Sequence, residues 1–158
     1  METLALMEIV ARIAVAVGLG GLLGLERTLA GKTAGMRTFA MVSLGSALFI
    51  IVAQTLLEGI PDLASANPLL IASAVITGIG FIGAGLVIFQ DNKITGLTTA
   101  AGLWVSAGVG MASGYGLYSI AMVATIAALV IFTVLWFFEN TLKKLSYEKN
   151  KKEDNMLQ

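Results

Sequence analysis

The stretch Thr77 to Ala101, TGIGFIGAGLVIFQDNKITGLTTAA, decides how this chain is read. It is an apolar, glycine-studded segment that runs into a short polar loop and then into a second apolar segment opening Gly96-Leu97-Thr98-Thr99. Four glycines, Gly78, Gly80, Gly83 and Gly85, fall within eight residues, and in water each costs a helix roughly 1 kcal/mol against Ala. In a bilayer helices associate by close backbone approach, so small residues mark contact surfaces instead. The same glycines either pack helices tightly or make room for an ion or small solute.

Composition extends this reading to the whole chain. Of 158 residues 57% are hydrophobic and 13% charged, about half the ~25% charge of a soluble domain. Mean hydropathy is +0.88. An all-α integral membrane protein follows, with spans expected at residues 9–29, 38–57, 68–89, 97–113 and 117–138, and a lysine-rich tail at 140–158 after a transmembrane domain at 1–139. There is no Cys and no His, which removes disulfides, thiolate chemistry, His-bearing zinc sites and the familiar hydrolytic triads. No enzyme activity, cofactor or nucleic-acid partner is expected, and no metal-ligand set is assigned.

The first span is expected to be a membrane helix and not a cleaved leader, because Glu2 and Glu8 stand where a positive segment belongs. Glu8 and Arg12, four apart, are expected to pair or snorkel at one boundary. Gly20 and Gly24 form a GxxxG pair, and Arg27 continues their face, which puts a cation on the helix-contact stripe. Residues 26–38, ERTLAGKTAGMRT, form the polar centre of the first half. Glu26 near a helix C-terminus and Arg37 near a helix N-terminus both oppose the macrodipole, so they are expected to pair across the loop, with Arg27 and Lys32 as competitors. Such intramembrane ionisable residues form either a structural clamp or a functional site.

The second span is free of charge. Residues 58–68 carry only acidic charge and two prolines, and read as an external loop, whereas 90–96 reads as a tight polar turn. The fourth span is short; Thr98 and Thr99 are expected to cap its start and Trp104 to pack on the glycines. The fifth has no glycine and is expected to be the most lipid-exposed. Nine of the ten Lys and Arg residues fall on one side of this scheme, all but Arg12. The positive-inside rule then puts the C-terminus in the cytoplasm of a bacterial cell and the N-terminus outside its inner membrane.

A weak repeat appears at an offset of 61 residues, matching Gly24 with Gly85, Lys32 with Lys93, Gly35 with Gly96 and Thr38 with Thr99. It suggests two parallel hairpins, spans one plus two and three plus four, with the fifth outside. Two helix starts, at Arg37-Thr38 and Thr98-Thr99, would then face each other in a geometry suited to an anion. Glu26 with threonine hydroxyls is the alternative, holding a cation.

Gly21-Leu-Leu-Gly-Leu-Glu-Arg27, Gly35-Met-Arg-Thr38, Gly78-Ile-Gly-Phe-Ile-Gly-Ala-Gly85 and Gly96-Leu-Thr-Thr-Ala-Ala101 with Trp104 together resemble the signature of the MgtC/SapB family of bacterial inner-membrane proteins. The resemblance runs from about Ile9 to Phe138. It implies a protein tied to adaptation to low magnesium and, in some members, to virulence within host cells or restraint of the F-type ATP synthase. Longer members carry a soluble C-terminal domain where this chain has its lysine-rich tail. Members often place arginine just before the GLTTAA motif and soon after GAG, where this chain has Thr95 and Gln90.

The expected function is modulation of membrane ion homeostasis through helix contacts, with a homodimer or higher oligomer, a membrane-protein partner and lipids as the contacts. The alternative is a small ion or solute transporter centred on Glu26, Arg27, Arg37, Thr38, Thr98 and Thr99.

Overall fold

A computed structural model describes residues 2–59, 69–90, 93–138 and 141–142. The expected external loop after Gly59, Pro68, Asp91 and the lysine tail lie outside the described residues. Five helices follow in order: α1 (Glu2–Leu29), α2 (Met36–Gly59), α3 (Leu69–Leu86), α4 (Leu97–Gly114) and α5 (Tyr118–Val130), the last continuing into a π-helical turn, Ile131–Leu135. By length and composition, Ala5–Leu29, Met36–Leu57, Leu69–Leu86 and Tyr118–Phe138 are able to cross a membrane.

The expected tight turn after α3 is a small antiparallel hairpin, β1 (Ile88–Gln90) on β2 (Lys93–Thr95), with Ile88 opposite Thr95. It ends α3 at Leu86, short of the anticipated Phe89. The repeat holds at the helix starts, where Met36 and Leu97 are again 61 apart. It fails in the connectors, because α1 joins α2 by a turn without strands.

The fold is organised around α4. Nine of its residues are buried, among them Gly102, Leu103, Ser106, Gly110 and Ser113, and it packs on all four other helices. At 18 residues it is as long as α3, but unlike α3 it is not among the helices apolar enough to cross a membrane, and its small residues let neighbouring backbones approach.

Gly20 and Gly24 pack on α2 as expected. A Cβ at Gly20 would lie 2.5 Å from Ser43 Cβ, and one at Gly24 would lie 2.6 Å from Met36 Cα. From α4, Gly110 sits against the Ser43 carbonyl and Gly114 against that of Ala47. Hydroxyls tie these layers together: Ser43 Oγ donates to the Ala16 carbonyl at 2.7 Å, and Ser106 Oγ to the Phe39 carbonyl at 2.9 Å.

Two expectations are corrected. Trp104 does not pack on glycines; it is 54% exposed, on the side of α4 away from Gly102 and Ser106. Nor is α5 the most exposed span. Of α3's 18 residues only Ile79 and Gly83 are buried, whereas α5 and its π turn bury Ala121, Thr125, Ala128 and Phe132. Absence of glycine is a poor guide to exposure, since alanine and threonine also permit close packing.

The α1 to α2 turn is built by local chemistry. Gly31, at φ 66°, closes α1: its N–H bonds the Thr28 carbonyl and the Lys32 N–H bonds that of Arg27. Thr28 Oγ1 then accepts the Met36 N–H at 3.0 Å while donating to the Gly24 carbonyl at 3.0 Å. It caps α2 from a neighbouring helix, and a Cβ on Gly35 would overlap it. Thr28→Val keeps the shape and removes the cap. The variant is expected to lose about 1 kcal/mol of stability, read as a lower melting temperature in detergent, and an unchanged melt would deny the cap its role.

Candidate functional site

The polar residues of the first half gather where α1 ends and α4 begins. Arg27, on the face of Gly20 and Gly24, is turned into the bundle and only 3% exposed. Its Nε donates to the Glu26 carboxylate, and its guanidinium carbon lies 3.8 Å from the centre of the Phe132 ring. Phe132 belongs to the π-helical turn, and such a turn re-aims side chains within an otherwise regular helix. A cation here is stabilised by the ring face as well as by the carboxylate.

Beside Arg27 lies a cavity of about 540 Å³. Arg27, Lys32, Thr98 and Thr99 provide its polar lining, and Leu97, Ile131, Leu135 and Trp136 its apolar walls. A second cavity of about 270 Å³, between the α1 to α2 turn and the β-hairpin, shares Lys32, Gly96 and Thr99 with it. Gly96, at φ 86°, is required at this junction, because a Cβ there would overlap the Leu86 carbonyl. It stands at the N-cap of α4 and offers no side-chain hydrogen bond to the helix start.

Of the residues expected to form a polar site, Arg27, Thr98 and Thr99 are brought together and Glu26 joins them through Arg27. Arg37 and Thr38 are not. Arg37 is exposed and makes no ion pair among the described residues, so the expected Glu26 to Arg37 pair is replaced by Glu26 to Arg27. The cause is burial: the guanidinium carried into the bundle needs a carboxylate, and the one on the next residue reaches its Nε. Thr38 instead lines a groove between α2 and α3, so the two helix starts do not share one cavity. The expected caps fail as well, since neither Thr98 nor Thr99 caps α4. Phe132 and Trp136 were not foreseen as site residues; nothing in their spacing reveals the π turn that aims Phe132.

The glycines of the decisive stretch divide. Gly83 faces α4, 3.6 Å from Ala100 Cβ, but at Gly78, Gly80 and Gly85 a Cβ would meet nothing within 4 Å. Gly78 and Gly45, also open, border the apolar α2 to α3 groove, about 620 Å³ in volume. At the other end of the bundle Arg12 pairs with Glu8, the alternative to snorkelling, and also donates to Gln54 Oε1 at 2.8 Å and to the Gly114 carbonyl at 2.9 Å. It therefore locks the C-terminus of α4 to α1 and α2 and does not simply snorkel. Among the described residues no group of three or more Asp, Glu, His or Cys is placed to hold a metal ion.

A bundle of long apolar helices with buried hydroxyls bonded to backbone carbonyls and one cationic cavity at a helix junction defines a multi-pass membrane protein. The chain belongs to the MgtC family, whose model matches residues 13–141. It is 39% identical over 132 residues to a protein of Escherichia coli named "Putative magnesium transporter YhiD", covering 80% of this chain and 60% of that one. It is 38% identical over 128 residues to Protein MgtC of Salmonella typhimurium, covering 81% and 52%, and 40% identical over 99 residues to Protein SrpB of Synechococcus elongatus, covering 57% and 54%. The chain thus spans about half to three-fifths of the length of these relatives. No solved structure matches it.

Proposed function

We propose that this chain modulates membrane ion homeostasis during adaptation to low magnesium, in a bacterial inner membrane, by docking a transmembrane helix of a second copy of itself against α3. The observation that carries the reading is the set of open glycines on α3. Gly78, Gly80 and Gly85 lie on a helix long and apolar enough to span a membrane, yet among the described residues nothing lies within 4 Å of a Cβ added to any of them. Glycine weakens a helix by roughly 0.5–1 kcal/mol against Ala, a cost that close approach of another backbone offsets.

A second copy suits the surface because hole and knob stand side by side. Gly45 and Gly78 border the groove, and Phe81, one turn from Gly78, is 85% exposed. An isologous pair would seat the Phe81 of each copy against the groove of the other. The link to magnesium rests on family membership and on the name of the Escherichia coli relative. A role in catalysis forms no part of this reading.

Transport is the second reading, and the cavity at Arg27 is what favours it. Its charged lining is cationic, which suits an anion better than magnesium, an ion that prefers oxygen ligands in octahedral array. Gly78→Leu separates the two readings. Its side chain enters the groove, so the protein should keep its melting temperature but lose cross-linked dimer in lipid and fail to support growth at low magnesium. A variant that dimerises and supports growth like wild type would overturn the docking reading. Flux of a small anion or of magnesium into proteoliposomes holding only this chain would establish transport in its place.

A further inference from the structure

We infer that the cavity beside Arg27 is a binding site for a phosphate group, borne by a lipid headgroup or by a free phosphate ion. This goes beyond the docking surface on α3 and stands or falls independently of it. The first observation is the state of Arg27. The residue is 3% exposed and lines the cavity, but among the described residues its side chain's only hydrogen bond is from Nε to Glu26, which leaves both terminal amino groups without an acceptor there. A buried guanidinium with two free donor groups is set for a forked contact with an oxyanion.

The second observation is independent and comes from α4. Gly96 supplies no side-chain cap, and the first bond of the helix runs from the Ala100 N–H to the Gly96 carbonyl at 2.9 Å. Among the described residues the amides of Leu97, Thr98 and Thr99 have no acceptor; they stand at the positive end of an 18-residue helix, in residues that line the same cavity. Lys32 adds a second cation, and no described acidic residue lines the space. The residues lining this one cavity thus carry free amides, a guanidinium and an ammonium, which is the donor set that binds phosphate.

The remaining walls suit an amphiphile. Ile131, Leu135 and Trp136 are each more than half exposed on the last, membrane-crossing helix, so one edge of the cavity is continuous with an apolar outer surface. A phospholipid placed here would set its phosphate on Arg27 and its chains along that edge.

The test uses the full chain in phosphatidylcholine nanodiscs, probed with phosphatidylglycerol by native mass spectrometry and with inorganic phosphate by thermal shift. Wild type is expected to retain phosphatidylglycerol, or to be stabilised by phosphate, in a saturable way. Lys32→Glu should weaken that binding roughly tenfold or more, the scale of one hydrogen bond to a charged group, and Arg27→Met should abolish it. Lys93→Glu, an exposed cation outside the cavity, should leave it unchanged. Should Arg27→Met fail to fold, the comparison of Lys32 with Lys93 decides alone. Retention of phosphatidylglycerol in excess phosphate identifies the headgroup, and stabilisation by phosphate alone identifies the free ion. No binding of either probe above the phosphatidylcholine background, or equal losses in Lys32→Glu and Lys93→Glu, overturns the site.

Discussion

Gly110→Ala is expected to destabilise this protein by about 2 kcal/mol or more, although alanine is the better helix former by ~1 kcal/mol. The added Cβ would overlap the Ser43 carbonyl, with the carbonyl carbon and Cα of Ser43 both 2.8 Å away. These are backbone atoms on a neighbouring helix, so no rotamer change relieves the clash, and α2 and α4 must move apart. That movement also strains the bond from Ser106 Oγ to the Phe39 carbonyl, which crosses the same interface. Gly80→Ala makes the contrast. Its Cβ meets open space, so it should keep the gain in helix propensity and leave the melt unchanged or higher. Unfolding both variants in one detergent checks the pair, and a Gly110→Ala protein at least as stable as wild type would remove α4 from the centre of the fold.

Counting glycines does not distinguish these two positions, and there the limit of sequence reading becomes physical. Hydropathy made some helix starts legible and others not: those anticipated at residues 38 and 97 lie within two residues of Met36 and Leu97, whereas α1 begins at Glu2, well before the anticipated residue 9. Arg27's burial was legible too, since it shares the stripe of Gly20 and Gly24. What the helical period does not encode is which stripe meets another helix. Gly20, Gly24 and Gly110 are filled by neighbours and Gly78, Gly80 and Gly85 are not, because packing of the whole bundle decides which side of each helix turns inward. Trp104 was misplaced for that reason. The first-named partner of Glu26 was wrong for another: adjacent residues do not share a helix face, which ranked Arg27 only as a competitor to Arg37. The pair forms because Arg27, held beneath Phe132, brings its Nε back to the Glu26 carboxylate.

That pairing makes a prediction that separates it from the one the loop suggested. Arg27 is buried, and its carboxylate partner is 18% exposed, so replacing the partner strands a cation inside the bundle. Breaking a buried pair from one side costs about 3–5 kcal/mol. The Phe132 ring offsets about 0.5–2 kcal/mol of this, so Glu26→Ala is expected to lose about 1–4 kcal/mol. Glu26→Gln should lose less, since its amide oxygen still accepts from Nε. Arg27→Met fills the space without charge, and once it is in place the change at Glu26 should cost little. The double-mutant cycle for Glu26 and Arg27 is therefore expected to show a coupling of about 1–3 kcal/mol. The same cycle with Arg37→Met should show almost none, because Arg37 is exposed and lies outside the cavity. Chemical denaturation in a single detergent measures all of these. Coupling to Arg37 in place of Arg27 would restore the cross-loop pair, and it would also remove the carboxylate that accounts for Arg27 lying among apolar helices.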